Sequence, residues 1–106
     1  MQAKGLLLVA RNYSCQVGEI DLIMRDGEYW VFIEVRYRHL AHYGEAGATI
    51  DQRKQRKIVL TAISWLQAQY INIEEVACRF DVFAITGNKI DWIIDAFGQD
   101  SLFDGS

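Results

Sequence analysis

Residues 19–38 read EIDLIMRDGEYWVFIEVRYR, and their pattern is the most informative in the sequence. Apolar and polar side chains alternate from Glu19 to Arg25, which is the period of a β-strand with one buried face. Asp26-Gly27 is a dipeptide favoured in two-residue hairpin loops, because both central positions of a type I′ turn need a positive φ. The return segment, 29–38, is rich in aromatic and β-branched residues, as strands are. The stretch is therefore predicted to form a β-hairpin with Asp26-Gly27 as its loop.

The cross-strand pairs of this hairpin follow from counting outward from the loop. This count places Asp21 opposite Phe32 and Glu19 opposite Glu34, and successive side chains alternate between the two faces. One face is then apolar and forms a complete core face: Ile20, Leu22, Met24, Tyr29, Val31, Ile33 and Val35. The other face carries the charged side chains: Glu19, Asp21, Glu34, Arg36 and Arg38.

Three carboxylates of the charged face, those of Glu19, Asp21 and Glu34, are predicted to converge. Like charges facing each other across a ladder are destabilising. A bound divalent cation removes such repulsion, and Mg²⁺ is typically held by one or two carboxylates with water and phosphate oxygens. The pattern therefore predicts a Mg²⁺ or Mn²⁺ site, with Asp21 and Glu34 as ligands and Glu19 as an auxiliary acid. The competing interpretation is a solvated face whose acids are screened by salt or paired to arginines.

The remaining sequence predicts one helix and three further strands. A capping box at Thr49 and Gln52 starts the helix at about Ile50. Its buried stripe recurs at helical spacing: Ile58, Val59, Ala62, Ile63, Leu66 and Tyr70. The strands lie at 6–10, 80–85 and 90–97, and Asp81 is expected to have a structural role at a strand end. This order predicts an α/β domain of two layers, with one long helix packed on a mixed sheet of about five strands. We expect one domain over residues 1–98 and a C-terminal tail over residues 99–106.

Composition narrows the classes of function. The 106 residues, 51% of them hydrophobic, suffice for one domain with a sizeable core. No window approaches the ~18 uninterrupted apolar residues of a membrane span, and the apolar run near Met1 is too short for a signal peptide. We therefore expect a cytoplasmic protein with no membrane partner. The net charge of −3 argues against wholesale coating of nucleic acid but leaves room for a local basic patch.

Basic residues crowd the first turns of the predicted helix: Arg53, Lys54, Arg56 and Lys57. Cations there oppose the helix dipole by about 0.3–1 kcal/mol each. One interpretation is a patch that positions a nucleic-acid backbone beside the hairpin acids. The other is a solvated face with Asp51 as partner. With Arg38, the residues Arg53, Lys54 and Arg56 are the candidate nucleic-acid contacts, and DNA is favoured over RNA. Nothing in the sequence indicates a homo-oligomer.

Several segments resemble those of the small bacterial YraN-like proteins: 10–13, 18–23, 32–38, 50–54, 79–82 and 96–97. That family is assigned to the restriction-endonuclease-like, or PD-(D/E)XK, superfamily. The resemblance therefore implies a restriction-endonuclease-like fold and a metal-dependent endonuclease-like activity on nucleic-acid phosphodiester bonds. It implies that Asp21 and Glu34 bind the catalytic metal and that Arg36 stands in the position of the superfamily's lysine.

Two departures from the family pattern bear on activity. A guanidinium does not give up a proton near neutral pH, so Arg36 is predicted to act as a phosphate clamp and not as a base. The family pattern also has a helix bearing a glutamate before the first strand, and we expect this chain to begin at or just inside the end of that helix. The alternative function is a non-catalytic nucleic-acid or protein interaction module that retains the fold.

Overall fold

A computed structural model describes residues 6–37 and 50–99 of the chain. They form β1 (Leu6–Ser14), β2 (Glu19–Asp26), β3 (Tyr29–Tyr37), α1 (Gln52–Ala68), a 3₁₀ turn (Ile73–Glu75), β4 (Ala77–Thr86) and β5 (Lys89–Phe97). The five strands make one sheet in the order β1-β2-β3-β4-β5. Neighbouring strands are antiparallel except β3 and β4, which are parallel. The predicted α/β architecture, a mixed five-stranded sheet with one long helix packed on it, is confirmed.

The parallel pair follows from the position of α1 in the sequence. Parallel neighbours need a crossover of a dozen or more residues, and α1 lies between β3 and β4 in the chain. This places β3 at the centre of the sheet, where Glu34 lies beside Val82 of β4. Within the described ranges, no helix has the length and apolar character needed to cross a membrane.

The hairpin is formed as predicted, but its register is shifted by two residues. Asp26 pairs with Tyr29 and Leu22 pairs with Ile33, so the loop is Gly27-Glu28 instead of Asp26-Gly27. Gly27 has φ +60, and type II′ loops need a glycine at this first position only. Keeping Asp26 inside the strand lets its Oδ2 accept a hydrogen bond from Arg79 Nη1 at 3.1 Å.

Apolar side chains pack on both faces of the sheet. The helix-side cluster includes Ile20, Ile23, Phe32, Phe80 and Val82, which pack with Ile58, Val59, Ala62, Trp65 and Leu66 of α1. A smaller cluster lies on the face away from α1: Met24, Val31 and Ile33, with Leu6, Leu22 and Phe83 around them. The prediction that one core face holds both Ile20 and Leu22 is therefore wrong.

The alternation of β2 is reversed near Asp21, and β1 supplies the reason. Tyr13 pairs with Ile20 and Arg11 pairs with Leu22, so the residue between them, Asn12, lies opposite Asp21. Asn12 has φ 55, a left-handed conformation inside a strand. Such a residue changes the local twist of the ladder, as a bulge does, and re-aims the side chains beside it.

Both ends of α1 differ from the prediction. The N-cap is Asp51, whose Oδ1 accepts the backbone N–H of Lys54 at 2.9 Å, so the helix begins at Gln52 and not at about Ile50. The predicted cap, Thr49, lies outside the described residues, as does Arg38. At the other end, Tyr70 does not join the buried stripe: it follows the helix with φ 64 and is 99% exposed. Its N–H donates to the Gln67 carbonyl while that of Ile71 donates to Leu66, which is a Schellman termination.

A buried carboxylate organises the β4–β5 side of the sheet. Asp81 is 0% exposed and lies inside β4, not at a strand end. It accepts hydrogen bonds from Arg79 Nε at 3.1 Å, Trp92 Nε1 at 2.9 Å and the backbone N–H of Asp95 at 2.9 Å. Asp95 has φ 58 and lies where the β4–β5 register shifts. Asp81 therefore fixes a bulge in β5 and, through Arg79, the Asp26 end of the hairpin.

Candidate functional site

Strands β2 and β3 separate at the end that carries the predicted acids. Their ladder ends at the Leu22–Ile33 pair, and continuing the register by one step brings Asp21 to the level of Glu34. Beyond this pair, Asp21 Oδ2 accepts the backbone N–H of Val35 at 2.8 Å. A side-chain oxygen thus serves a donor that strand pairing would otherwise satisfy. The bond holds the Asp21 carboxylate between the two strands, and it engages only one of the two carboxylate oxygens, Oδ2.

Glu34 lies beside this carboxylate and faces the helix. It is 8% exposed, and its Oε2 lies 3.3 Å from Nζ of Lys54 in the first turn of α1. Burial raises the pKa of Glu34, the Lys54 ammonium opposes that shift, and the Asp21 charge adds to it. The net effect is a raised pKa. A cation near Glu34 therefore stabilises its ionised form, because that form has lost water and has an acidic neighbour.

The structure brings together Asp21, Glu34 and Lys54, with Arg36 close enough for its charge to lower the pKa of Glu34. It does not bring Glu19 opposite Glu34. The two-residue register shift of the hairpin removes this predicted contact. Glu19 is exposed and pairs with Ser14 of β1. Among residues 6–37 and 50–99, no group of three or more His, Cys, Asp or Glu side chains is placed to hold a metal ion.

The basic residues of α1 divide into two kinds. Lys54, predicted as a phosphate contact, lies against the carboxylate of Glu34 instead of projecting freely from the helix. Arg53 and Arg56 are exposed on the same first turns. No signal in the sequence separates Lys54 from its neighbours, because Arg53 lies in the same first turn of α1 and opposes the helix dipole in the same way.

The chemistry of the donors fits one divalent cation of the Mg²⁺ type. Asp21 and Glu34 supply hard carboxylate oxygens, and within residues 6–37 and 50–99 the contacts of each acid engage one of its two oxygens. Mg²⁺ is held by one or two carboxylates and keeps several waters, so two acids suffice. Thiolate and imidazole ligands, which zinc sites use, do not occur in this pair. The lysine at one edge adds a donor for water or a phosphate oxygen.

The fold and this site define a small α/β domain with a carboxylate pair and a lysine at the point where its central strands separate. The chain belongs to the Uncharacterised protein family UPF0102, whose model matches residues 1–85. It is 50% identical over 101 residues to the UPF0102 protein YraN of Salmonella arizonae and to that of Escherichia fergusonii, covering 95% of this chain and 77% of each relative. It is 46% identical over 97 residues to a UPF0102 protein of Pectobacterium carotovorum, covering 92% of this chain and 82% of the relative. The resemblance to YraN-like proteins is thereby confirmed.

Proposed function

We propose that this chain is a metal-dependent endonuclease-like domain that acts on phosphodiester bonds of nucleic acid, with DNA favoured over RNA. The observation that carries the proposal is the grouping of Asp21, Glu34 and Lys54 where β2 and β3 separate. Two acids and an amine at one point supply the charges that a phosphodiester hydrolase needs: ligands for a divalent cation and a donor toward phosphate or water. We also propose that this chain is a member of the PD-(D/E)XK superfamily.

In this proposal, Asp21 and Glu34 hold Mg²⁺ or Mn²⁺ through their remaining oxygens. Such a cation, when bound, polarises the phosphate and lowers the pKa of an attacking water. The bond from the Val35 N–H fixes the direction of the Asp21 carboxylate. The ion pair with Lys54 does the same for Glu34. Both acids are therefore oriented before substrate arrives, which reduces the reorganisation that reaction requires.

Lys54 and Arg36 take different roles. An ammonium has three donors, so Lys54 can keep its contact with Glu34 and still donate to a water or a phosphate oxygen. Arg36 carries a planar guanidinium whose donors match a phosphate, and it is assigned to the phosphate as a clamp. Arg53 and Arg56, exposed on the same turns of α1 as Lys54, would hold neighbouring phosphates and set the position of the strand.

The test of this proposal measures metal binding through stability. A ligand that binds only the folded chain stabilises it by RT ln(1 + [L]/Kd), which is about 1.4 kcal/mol when Mn²⁺ is present at ten times its Kd. In a domain of this size that raises the Tm by roughly 5–10 °C. We expect Mn²⁺ to produce such a rise in the parent protein and none in the double variant Asp21→Asn, Glu34→Gln.

The matched control removes two carboxylate charges at a position away from the candidate site. Glu74 and Glu75 belong to the 3₁₀ turn and are exposed. The double variant Glu74→Gln, Glu75→Gln should respond to Mn²⁺ as the parent does. If the Asp21, Glu34 variant responds equally, the metal site lies elsewhere and the proposed ligands are wrong.

A second candidate is a non-catalytic nucleic-acid or protein interaction module. The observation that favours it is the Lys54–Glu34 pair itself, because an ammonium at 3.3 Å already offsets part of the carboxylate charge without a metal. Cleavage separates the two candidates. With Mn²⁺ and single-stranded, duplex or branched DNA, the enzyme cuts above the background of Glu34→Gln, whereas the module binds without cutting.

A further inference from the structure

A small pocket lies directly beside Asp21, on the face of the sheet away from α1. Its volume is about 340 Å³, and it is lined by Arg11, Asn12, Asp21, Leu22, Val35 and Tyr37. The face is fixed by Leu22, which packs with Met24 on the side away from the helix. Val35 and Tyr37 follow Val31 and Ile33 of that same cluster at alternate positions along β3. Asp21 therefore lies beside Glu34 and also lines this pocket.

Tyr37 gives the pocket an aromatic wall. The side chain is 79% exposed although its residue ends a central strand. No aromatic ring or guanidinium from the described residues stacks against it. An exposed ring beside an acidic site is suited to stacking with a nucleic-acid base, since every base presents an aromatic face.

Arg11 supplies the charge on the other side. It pairs with Leu22 across the β1–β2 ladder, is exposed, and forms no ion pair with another residue of the described ranges. An arginine held by a strand in this way can donate to a phosphate oxygen through two N–H groups at once. The pocket thus combines one stacking surface and one phosphate donor, which together match a single nucleotide.

The size of the pocket narrows the substrate. Binding pockets for small molecules span roughly 300–1,000 Å³, so this one is at the lower end and holds one nucleotide-sized group. A base within a duplex remains paired and stacked with its neighbours and must be flipped out to enter such a space.

We infer that this pocket binds one unpaired nucleotide next to the phosphate that lies at Asp21 and Glu34. The inference rests on the proposed function and adds its substrate class, nucleic acid with an unpaired strand. The base stacks on Tyr37 and the following phosphate meets Arg11. The side of the sheet that faces away from the helix thereby becomes part of the substrate surface.

The experiment uses single-stranded oligo(dT) carrying one 2-aminopurine, and the matching duplex, with Ca²⁺ in place of Mg²⁺ to slow cleavage. Stacking on an aromatic side chain is worth about 1–3 kcal/mol per base, so we expect Tyr37→Leu to weaken single-strand binding about 5-fold or more. The Kd for the duplex should change less than about 2-fold. We expect the parent to quench the fluorescence of 2-aminopurine in the single strand, and Tyr37→Leu to abolish this quenching. Arg11→Gln should lower the salt slope for the single strand by about 0.7, the value for one phosphate contact.

Tyr70→Leu is the matched control, because Tyr70 is also an exposed tyrosine but lies past the opposite end of α1 from Lys54. It should leave binding and quenching unchanged. If the parent binds both DNA forms and Tyr37→Leu affects both equally or neither, the nucleotide pocket is refuted while the proposed function stands. If the parent binds neither form and Mn²⁺ does not raise its Tm, the proposed function fails and the pocket with it.

Discussion

Two separate contacts place Lys54 at the candidate site. Its backbone N–H is bound by the Asp51 side chain at the start of α1, and its ammonium lies 3.3 Å from Glu34. Arg36 belongs to β3 itself, and no ion pair or side-chain hydrogen bond within the described residues fixes its guanidinium toward the acids. If one cation of this site assists the attacking water, the geometry favours Lys54.

We expect Lys54→Gln to reduce Mn²⁺-dependent cleavage by about 100-fold, the lower end of the cost of removing one positioned donor from a developing charge. Arg36→Lys should preserve or increase cleavage, because it keeps the cation and introduces the lysine that the proposed superfamily has at this position. Arg36→Ala should weaken it by removing charge near the scissile phosphate. Single-turnover rates on labelled DNA measure all three, and Lys57→Gln, the same change at an exposed lysine one turn further along α1, serves as the control. A Lys54→Gln variant that cuts at the parent rate would reduce Lys54 to a partner of the ion pair.

The raised pKa of Glu34 has a consequence for stability. Between its ordinary value of 4.5 and the higher value in the folded state, the folded protein retains a proton that the unfolded chain has released. The free energy of unfolding therefore falls as the pH rises through that interval. Glu34→Gln removes the effect, so we expect this variant to be more stable than the parent at pH 7. The difference should shrink as the pH falls below 4.5, because Glu34 then becomes protonated in both states.

Thermal unfolding from pH 4 to pH 8 with EDTA present measures this difference. Glu28→Gln, an exposed change in the hairpin loop, should follow the parent at every pH. A constant gap between Glu34→Gln and the parent would mean that packing, and not ionisation, is responsible.

Among the elements, the hairpin shows how far local sequence can determine structure. Its existence, its strands and the shared face of Phe32 and Glu34 follow from alternation and from the glycine turn. The register does not, because Asp26-Gly27 and Gly27-Glu28 are both two-residue loops containing the glycine. The pairing of Asp26 with Arg79 favours the second, and Arg79 is distant in sequence. The predicted facing of Glu19 and Glu34 was wrong for this reason.

The buried side chains of the helix were predicted well where the helical period determines them. They were predicted poorly where contacts with other elements determine them. Ile58, Val59, Ala62 and Leu66 are buried as expected. The misplaced residue is Tyr70, because the backbone turns left-handed there and ends the helix before its side chain can reach the core. The contact of Lys54 with Glu34 links two elements and has no local signature, because Arg53 lies in the same first turn of α1.

The hydrogen bonds of Asp81 are predicted to stabilise the β4–β5 side of the sheet. Replacing it with alanine leaves Arg79, the Trp92 indole and the Asp95 N–H without their buried partner. Removing one member of a buried charged network costs about 3–5 kcal/mol. We expect Asp81→Ala to lose stability of this order in urea unfolding. Asp81→Asn should lose less, because an amide oxygen still accepts from the Asp95 N–H.

The exposed Glu28 provides the comparison for this measurement. Glu28→Ala removes an acid from the same sheet and should change the free energy of unfolding by no more than about 0.5 kcal/mol. If Asp81→Ala is equally mild, the bulge in β5 is held by other contacts.

At the scale of the whole molecule, the sheet brings residues to one place that no short segment could. The class of fold was predictable because strand and helix periods are written into the sequence. The reversed alternation of β2 near Asp21 was not, since it depends on Asn12 of β1 adopting φ 55 opposite Asp21. The pocket lined by Arg11 and Tyr37 depends on the same local geometry, so it could be found only in three dimensions.

The parallel pairing of β3 with β4 also sets a sequence of events in time. Asp21 and Glu34 lie on strands joined by a two-residue loop, whereas pairing partners such as Tyr29 and Ala77 are roughly 50 positions apart in the chain. Hairpins close in microseconds, but long-range parallel contacts form late because loop closure costs entropy first. We expect the two acids to meet before α1 brings Lys54 to them. The final step of folding, which brings the Lys54 ammonium to the two acids, then also relieves the repulsion between them. A partly folded chain therefore carries a negative charge at this point that the folded protein compensates.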